Sequence, residues 1–234
     1  MGIFDRAEIL LGKEALEAIA SKKVLLFGVG GVGSWCAESL IRTGITNLTI
    51  VDHDTVCESN INRQLMATTA SVGQIKVEAM RKHLLEINPD AEINAIHASY
   101  TQESAPDFHL EEYDYIIDCI DSLKDKIDLL LQASRQAGAK VFSSMGAARK
   151  LDPTRIRVAE FWDVRGCPLG AAMRKRMRQN KWAPAKKIMC VYSEELLENK
   201  IEGGANGSLL QVTGCFGFTL TSLIINDICS TLEN

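Results

Sequence analysis

The chain has 234 residues, is 46% hydrophobic and 24% charged, and carries a net charge of −4, close to the average for a globular domain. Five prolines and 17 glycines exclude a collagen-like or largely disordered chain, and the acidic balance excludes a polycation that holds nucleic acid by its overall field. Seven cysteines, odd in number and never in a C-x-x-C pair, argue against a disulfide framework and against a four-thiolate zinc site.

Met1 to Lys23 mixes acids and bases throughout and does not read as a secretory leader; with its cysteines reduced, the chain is expected in the cytoplasm. Val24 to Phe27 is a continuous apolar run ending at Gly28, the pattern of a central parallel strand. A helix is predicted from about Val32 to Arg42, stopped by Thr43-Gly44, and the next strand runs from Leu48 to Val51 and ends at Asp52. Ile75 to Glu86 has helical spacing and closes at Asn88-Pro89; Glu92 to His97 alternates as a strand. Tyr113 to Asp118 is predicted as a buried strand, Leu123 to Ala137 as a helix and Lys140 to Ser144 as a strand. This alternation specifies an α/β fold, a Rossmann-like, mainly parallel sheet with flanking helices.

Beyond Gly146 the rhythm changes. Arg155 to Phe161 alternates as an antiparallel-type strand, Met173 to Lys187 is a basic stretch, and Lys187 to Tyr192 is a further strand. The segment 182–207, rich in Lys, Glu, Gly and Asn, has the composition of a mobile loop. Gly207 to Asn226 holds no charge for twenty positions, a membrane-span length. Its Ser, Thr, Gln, Asn and Gly residues make it instead a core or dimer-interface helix, over about 208–231. The chain therefore divides into a nucleotide-binding core, 1–148, and an extension, 149–234, with C-terminal antiparallel strands and the long apolar helix.

Gly28-Val29-Gly30-Gly31-Val32-Gly33 fits G-x-G-x-x-G between a strand and a helix. Such glycines admit phosphate close to the backbone, and the helix start offers free N–H groups. Asp52, nineteen residues after Gly33 at a strand end, is placed to accept ribose hydroxyls. A dinucleotide pyrophosphate needs little more, whereas ATP with Mg²⁺ asks for cationic side chains and a metal-binding carboxylate. The chain supplies them: Asp54, Asn60, Arg63, Gln64, Lys76, and then Asp118 and Asp121 at the end of the fourth strand. Arg63 can grip phosphate bidentately and Lys76 can act as a point charge.

These linked motifs, G-x-G-G-x-G-S, D-x-D at 52–54, S-N-I-N-R-Q at 59–64, G-x-x-K at 73–76 and D-x-x-D at 118–121, resemble the ThiF/MoeB/HesA adenylating family, relatives of ubiquitin-activating enzymes. The resemblance covers about residues 1–148. It implies that Asp52 holds the ribose, that Asn60, Arg63 and Lys76 meet the triphosphate, and that Asp121 holds Mg²⁺. It also implies a homodimer, in which Arg6 reaches across into the partner's site.

Family members that activate a ubiquitin-like sulfur-carrier tail commonly carry C-x-x-C pairs and a thioester cysteine, and this chain has no C-x-x-C pair. The C-terminal part, through D-P-T-R-I-R-V (152–158), V-Y-S-E-E (191–195) and G-S-x-x-x-V-T-x-x-F-G-F (207–218), resembles the tRNA threonylcarbamoyladenosine dehydratase branch instead. That branch adenylates the threonyl carboxylate of a modified tRNA adenosine and closes it into a ring; sulfur-carrier adenylation is the alternative. Some of its members carry a cysteine before the G-S motif that serves sulfur-relay partners. Gly203 to Gly207 has none, so no such partner is expected.

For the tRNA, Met173 to Lys187 holds seven Lys/Arg and no acid. Arg174, Lys175, Arg176, Arg178 and Lys181 are candidates for backbone phosphate, and Trp182 for stacking on an unpaired base. The four histidines are scattered without ligand spacing.

Overall fold

A computed structural model describes residues 2–201 and 203–232. Two short helices, α1 (Asp5–Leu11) and α2 (Lys13–Ala20), precede the sheet, hinged at Gly12; neither is evident from the local pattern. The first half then alternates β1 (Lys23–Phe27), α3 (Gly33–Thr43), β2 (Asn47–Val51), α4 (Lys76–Ile87) and β3 (Glu92–Ile96). After a stretch of short turns come β4 (Tyr115–Asp118), α5 (Leu123–Ala133) and β5 (Lys140–Ser144). The extension supplies β6 (Ile156–Glu160), α6 (Pro168–Asn180), β7 (Met189–Ser193) and α7 (Leu210–Leu232).

The strands form one sheet in the order β3-β2-β1-β4-β5-β7-β6. Every pairing is parallel except β6 with β7. The expected pair of antiparallel strands is thus one antiparallel ladder, because β7 also adds in parallel to β5 and joins the extension to the core sheet. β1 shows why its run is continuously apolar. Val24 and Leu26 face one core, with α3, α4 and α7, while Leu25 and Phe27 face the other, with α5 and α6. A strand covered on both faces has no polar side to show.

Three boundaries differ from the sequence reading. α5 ends at Ala133, four residues early, where Ser134 turns its hydroxyl back to Leu131 O. The basic stretch is a helix from Pro168 to Asn180, ended by Lys181 in the left-handed region. The 182–207 segment holds β7 and is tied down beyond it. Gly207 O and Leu197 N bond the backbone of Arg149, and Lys150 Nζ, itself buried, donates to Ser193 O at 3.0 Å. Glu195 caps the N–H groups of Leu151 and Asp152 at 2.8 and 2.9 Å.

By length and hydropathy α7 would pass as a membrane span, yet 56% of its most apolar window is buried within the protein. It lies along α3. Gly217 permits the contact: a Cβ there would stand 2.6 Å from Val32 O and 2.8 Å from Cys36 N. Thr221 adds a hydrogen bond to Cys36 O at 3.2 Å.

Candidate active site

The strand order reverses between β1 and β4, and in open α/β sheets ligands bind beyond the carboxyl ends of the strands at that point. The glycine turn follows β1, and the Asp118–Asp121 segment follows β4. Gly28 has φ +86°, and a Cβ on it would press to 2.9 Å on Cys119 O. A Cβ at Gly33 would stand 1.8 Å from Gly28 O. The turn is therefore locked between the start of α3 and the β4–α5 connection.

Asp52 is 9% exposed and anchors the turn. Its Oδ2 accepts from Val29 N at 2.8 Å and its Oδ1 from Asp54 N at 2.9 Å. Lys76, 4% exposed at the first position of α4, donates its Nζ to Asp54 Oδ2 at 2.6 Å. Burial pushes the Asp54 carboxyl up, but the hydrogen bond and charge of Lys76, with His53 nearby, outweigh it and hold the carboxyl below its ordinary range. An anionic ligand would have to compete with Asp54 for this lysine.

Asn60 is buried and spends its Oδ1 on Cys57 N at 3.0 Å. Arg63 is held from three sides. Trp35 Nε1 donates to its carbonyl at 2.9 Å, its side-chain stem would be 3.3 Å from a Cβ on Gly31, and its Nη1 bonds Ser59 O and Asn62 Oδ1. Asn62 Nδ2 in turn donates to Ser208 O, which brings the loop before α7 to the residue beside Arg63. Gln64 carries a buried Oε1 with no hydrogen-bond partner among the described residues, and its amide nitrogen lies 3.8 Å from the Cβ position on Gly30. A buried acceptor left open beside a glycine turn is unusual in a folded protein and fits a ligand that brings a donor.

The carboxylates fit a divalent cation in kind. Asp52, His53 and Asp54 place donor atoms within 4.8 Å of one another, and Asp121 offers an exposed carboxylate at the head of α5 without being part of that group. Behind Asp121 lies a network absent from the sequence reading. Lys126, with no exposed surface, donates to Asp118 Oδ2 at 2.7 Å and to Ile120 O at 2.9 Å. Asp118 also accepts from Ser143 Oγ and from Ile120 N. Burial lifts the Asp118 carboxyl above its usual value, against the pull of these donors. The available signal was Lys126 itself, a lysine next to Ile127 on the apolar face of a helix.

The remaining candidates lie apart from this cluster. Arg6 is exposed on α1, none of whose residues is buried. Lys175, Arg176, Arg178, Lys181 and Trp182 are exposed on and just after α6. Arg178 sits over the ring of Trp162, 5.4 Å from its centroid. Arg174 does not belong with them. It lies inward beside Met173 and Met177, 8% exposed, and donates to Phe161 O at 3.3 Å. A guanidinium committed to a core carbonyl is withdrawn from phosphate.

The ThiF family model matches residues 4–181. The tRNA threonylcarbamoyladenosine dehydratase of Bacillus subtilis is 38% identical over 192 residues, covering 82% of this chain and 74% of that protein. Among solved structures, the Escherichia coli tRNA N6-threonylcarbamoyladenosine dehydratase in complex with ATP superposes with TM-score 0.90 at 31% identity, covering 98% of this chain and 95% of that one. The same enzyme in complex with AMP superposes with TM-score 0.91 at 32% identity, with coverage of 98% and 95%.

Proposed function

The chain belongs to the ThiF family, and from that premise we propose that it adenylates the threonyl carboxylate of threonylcarbamoyladenosine in tRNA and closes it into a ring. It is an ATP-dependent enzyme. A carboxylate oxygen is a poor leaving group. In the first step it forms a bond to the α-phosphorus of ATP, and the bond from that phosphorus to pyrophosphate breaks. In the second, the side chain attacks its own activated carbonyl, the acyl–oxygen bond breaks, and AMP leaves with the electron pair. The net change in the nucleoside is the loss of one water.

The observation that carries this reading is the cluster at the switch point: a locked glycine turn, Asp52 beneath it, and Arg63 and Lys76 beside it. Gly28, Gly30, Gly31 and Gly33 line the phosphate path, with Asp54, Asn60 and Gln64 in its wall. Arg63 and Lys76 neutralise charge on the phosphates, and releasing Lys76 from Asp54 frees a carboxylate in the same event. Asp121 would hold Mg²⁺, which would supply further charge neutralisation on the triphosphate. The ring closure is intramolecular, so the chain need only position the groups.

A homodimer completes the site. On α1, Ile9 and Leu10 are 84% and 82% exposed, apolar surface that a second copy would cover. A second copy there would carry Arg6 towards the nucleotide. Exposed cations on and just after α6 receive tRNA, and seven free cysteines suit a reducing cytoplasm. Incubation with ATP, Mg²⁺ and threonylcarbamoylated tRNA should lower the mass of the modified nucleoside by one water. An unchanged nucleoside, with exchange of pyrophosphate into ATP only when a Gly-Gly-ending carrier protein is added, would replace this reading with sulfur-carrier adenylation.

A further inference from the structure

Away from the nucleotide cluster, a cavity of about 350 Å³ opens between α5 and the chain that leaves α6. Ligand pockets begin at about 300 Å³, so the volume suits one small planar group. Its floor is apolar, from the buried side chains of Ile127 and Leu131. Lys124, Arg135 and Arg176 put cations on its wall, and the indole of Trp182, 43% exposed, closes one side. An indole left that open beside guanidinium groups is a stacking surface.

Two carboxylates in the same wall decide what kind of molecule fits. Asp128 accepts from Tyr100 Oη at 2.9 Å and Asp125 from Ser122 Oγ at 2.6 Å. They repel a free polyphosphate, but each retains acceptor capacity for the amino and imino N–H groups of a base. A nucleotide unit of a polymer meets every requirement: a flat ring for Trp182 and the apolar floor, donors for the carboxylates, and a single backbone charge for the cations. Position favours the same ligand. α5 starts two residues after Asp121, and its 11 residues span roughly 16 Å, so the cavity extends along α5 from the candidate active site.

We propose that this cavity seats an unpaired nucleotide of the tRNA that flanks the modified adenosine. The inference rests on the dehydratase reading and adds to it a defined subsite built by α5 and the turn after it, whose Lys124 and Arg135 lie outside the basic segment. The test is steady-state kinetics on threonylcarbamoylated tRNA with Trp182→Ala, Trp182→Phe and Arg135→Ala, each checked for folding by thermal melting. Loss of one stacked base should raise the KM for tRNA by about five- to a hundredfold in Trp182→Ala, and Trp182→Phe should restore most of it. Arg135→Ala should flatten the dependence of log KM on log salt by about one unit. ATP affinity should not move in any of the three. Wild-type KM values in both alanine variants, from a wild type that does dehydrate the tRNA, would overturn the subsite alone. A wild type that leaves the tRNA unchanged would overturn the dehydratase reading and the subsite with it.

Discussion

Arg63, Asp121 and Lys126 show how differently three charged residues around the candidate site can be held. Arg63 is half-buried and Asp121 exposed, so neither supports the core. Arg63→Ala and Asp121→Ala should each cut ATP–pyrophosphate exchange by about a hundredfold. Their effect on unfolding free energy should stay within about 0.5 kcal/mol, the range of surface substitutions. Wild-type exchange rates in either variant would remove that residue from the site. Lys126 is the opposite case. Removing it strands Asp118 as a buried charge, and breaking such pairs costs about 3–5 kcal/mol. Lys126→Ala should show that loss in denaturant unfolding, whereas a loss below about 1 kcal/mol would mean the pair contributes little to the β4–α5 connection. Arg63 and Asp121 were legible from motif spacing. Lys126 was not, since its meaning depends on Asp118 and Ile120 O meeting its ammonium, with Ser143 holding Asp118 from the neighbouring strand.

Among the elements, the α3–α7 contact bears most on the candidate site, because α3 starts directly from the glycine turn. A methyl group at Gly217 would collide with Val32 O and Cys36 N, both backbone, while one at Gly214 meets nothing closer than 3.8 Å. Gly217→Ala should therefore destabilise the protein by about 1–3 kcal/mol and weaken ATP binding as the first turn of α3 shifts. Gly214→Ala should do neither, and equal behaviour of the two would show that α7 does not set the position of α3.

The α3–α4 contact has its own signature in pH. Glu38 on α3 accepts from His83 on α4 at 2.7 Å and from Arg42 at 2.5 Å. The hydrogen bond to Glu38 raises the His83 pKa above 6.5. Burial pushes the Glu38 carboxyl up, but His83 and Arg42 pull it below 4.5. The His83 share of stability is full below pH 6.5 and disappears as pH rises through its raised value. The Glu38 share is full above pH 4.5 and disappears as pH falls through its lowered value. His83→Gln should flatten the fall in melting temperature as pH rises above 6.5. A profile parallel to wild type would assign that fall to other groups.

At the scale of the whole molecule, the exposed α1 and its arginine make dimerisation a question about catalysis. If Arg6 acts in the partner's site, Arg6→Ala and Asp121→Ala homodimers are each inactive, but mixing them under exchange regenerates one intact site per heterodimer. Activity should then recover to about a quarter of wild type, the statistical share of intact sites when subunits exchange freely. No recovery on mixing, with exchange verified, would place Arg6 in its own chain's site or outside both.

The sequence by itself determined the alternation of strand and helix in the first 148 residues and the glycine turn with Asp52 beneath it. Both are written in short-range patterns: apolar runs, glycine spacing and charged residues at strand ends. It also determined that the twenty-residue uncharged stretch was a protein-packed helix, because its polar residues were too many for lipid. Only the tertiary structure decided that β7 inserts between β5 and β6, that Arg174 points into the core while Arg176 does not, and that Lys126 closes on Asp118. Each of these depends on which surfaces meet after residues far apart in the chain are brought together, and no local period encodes that.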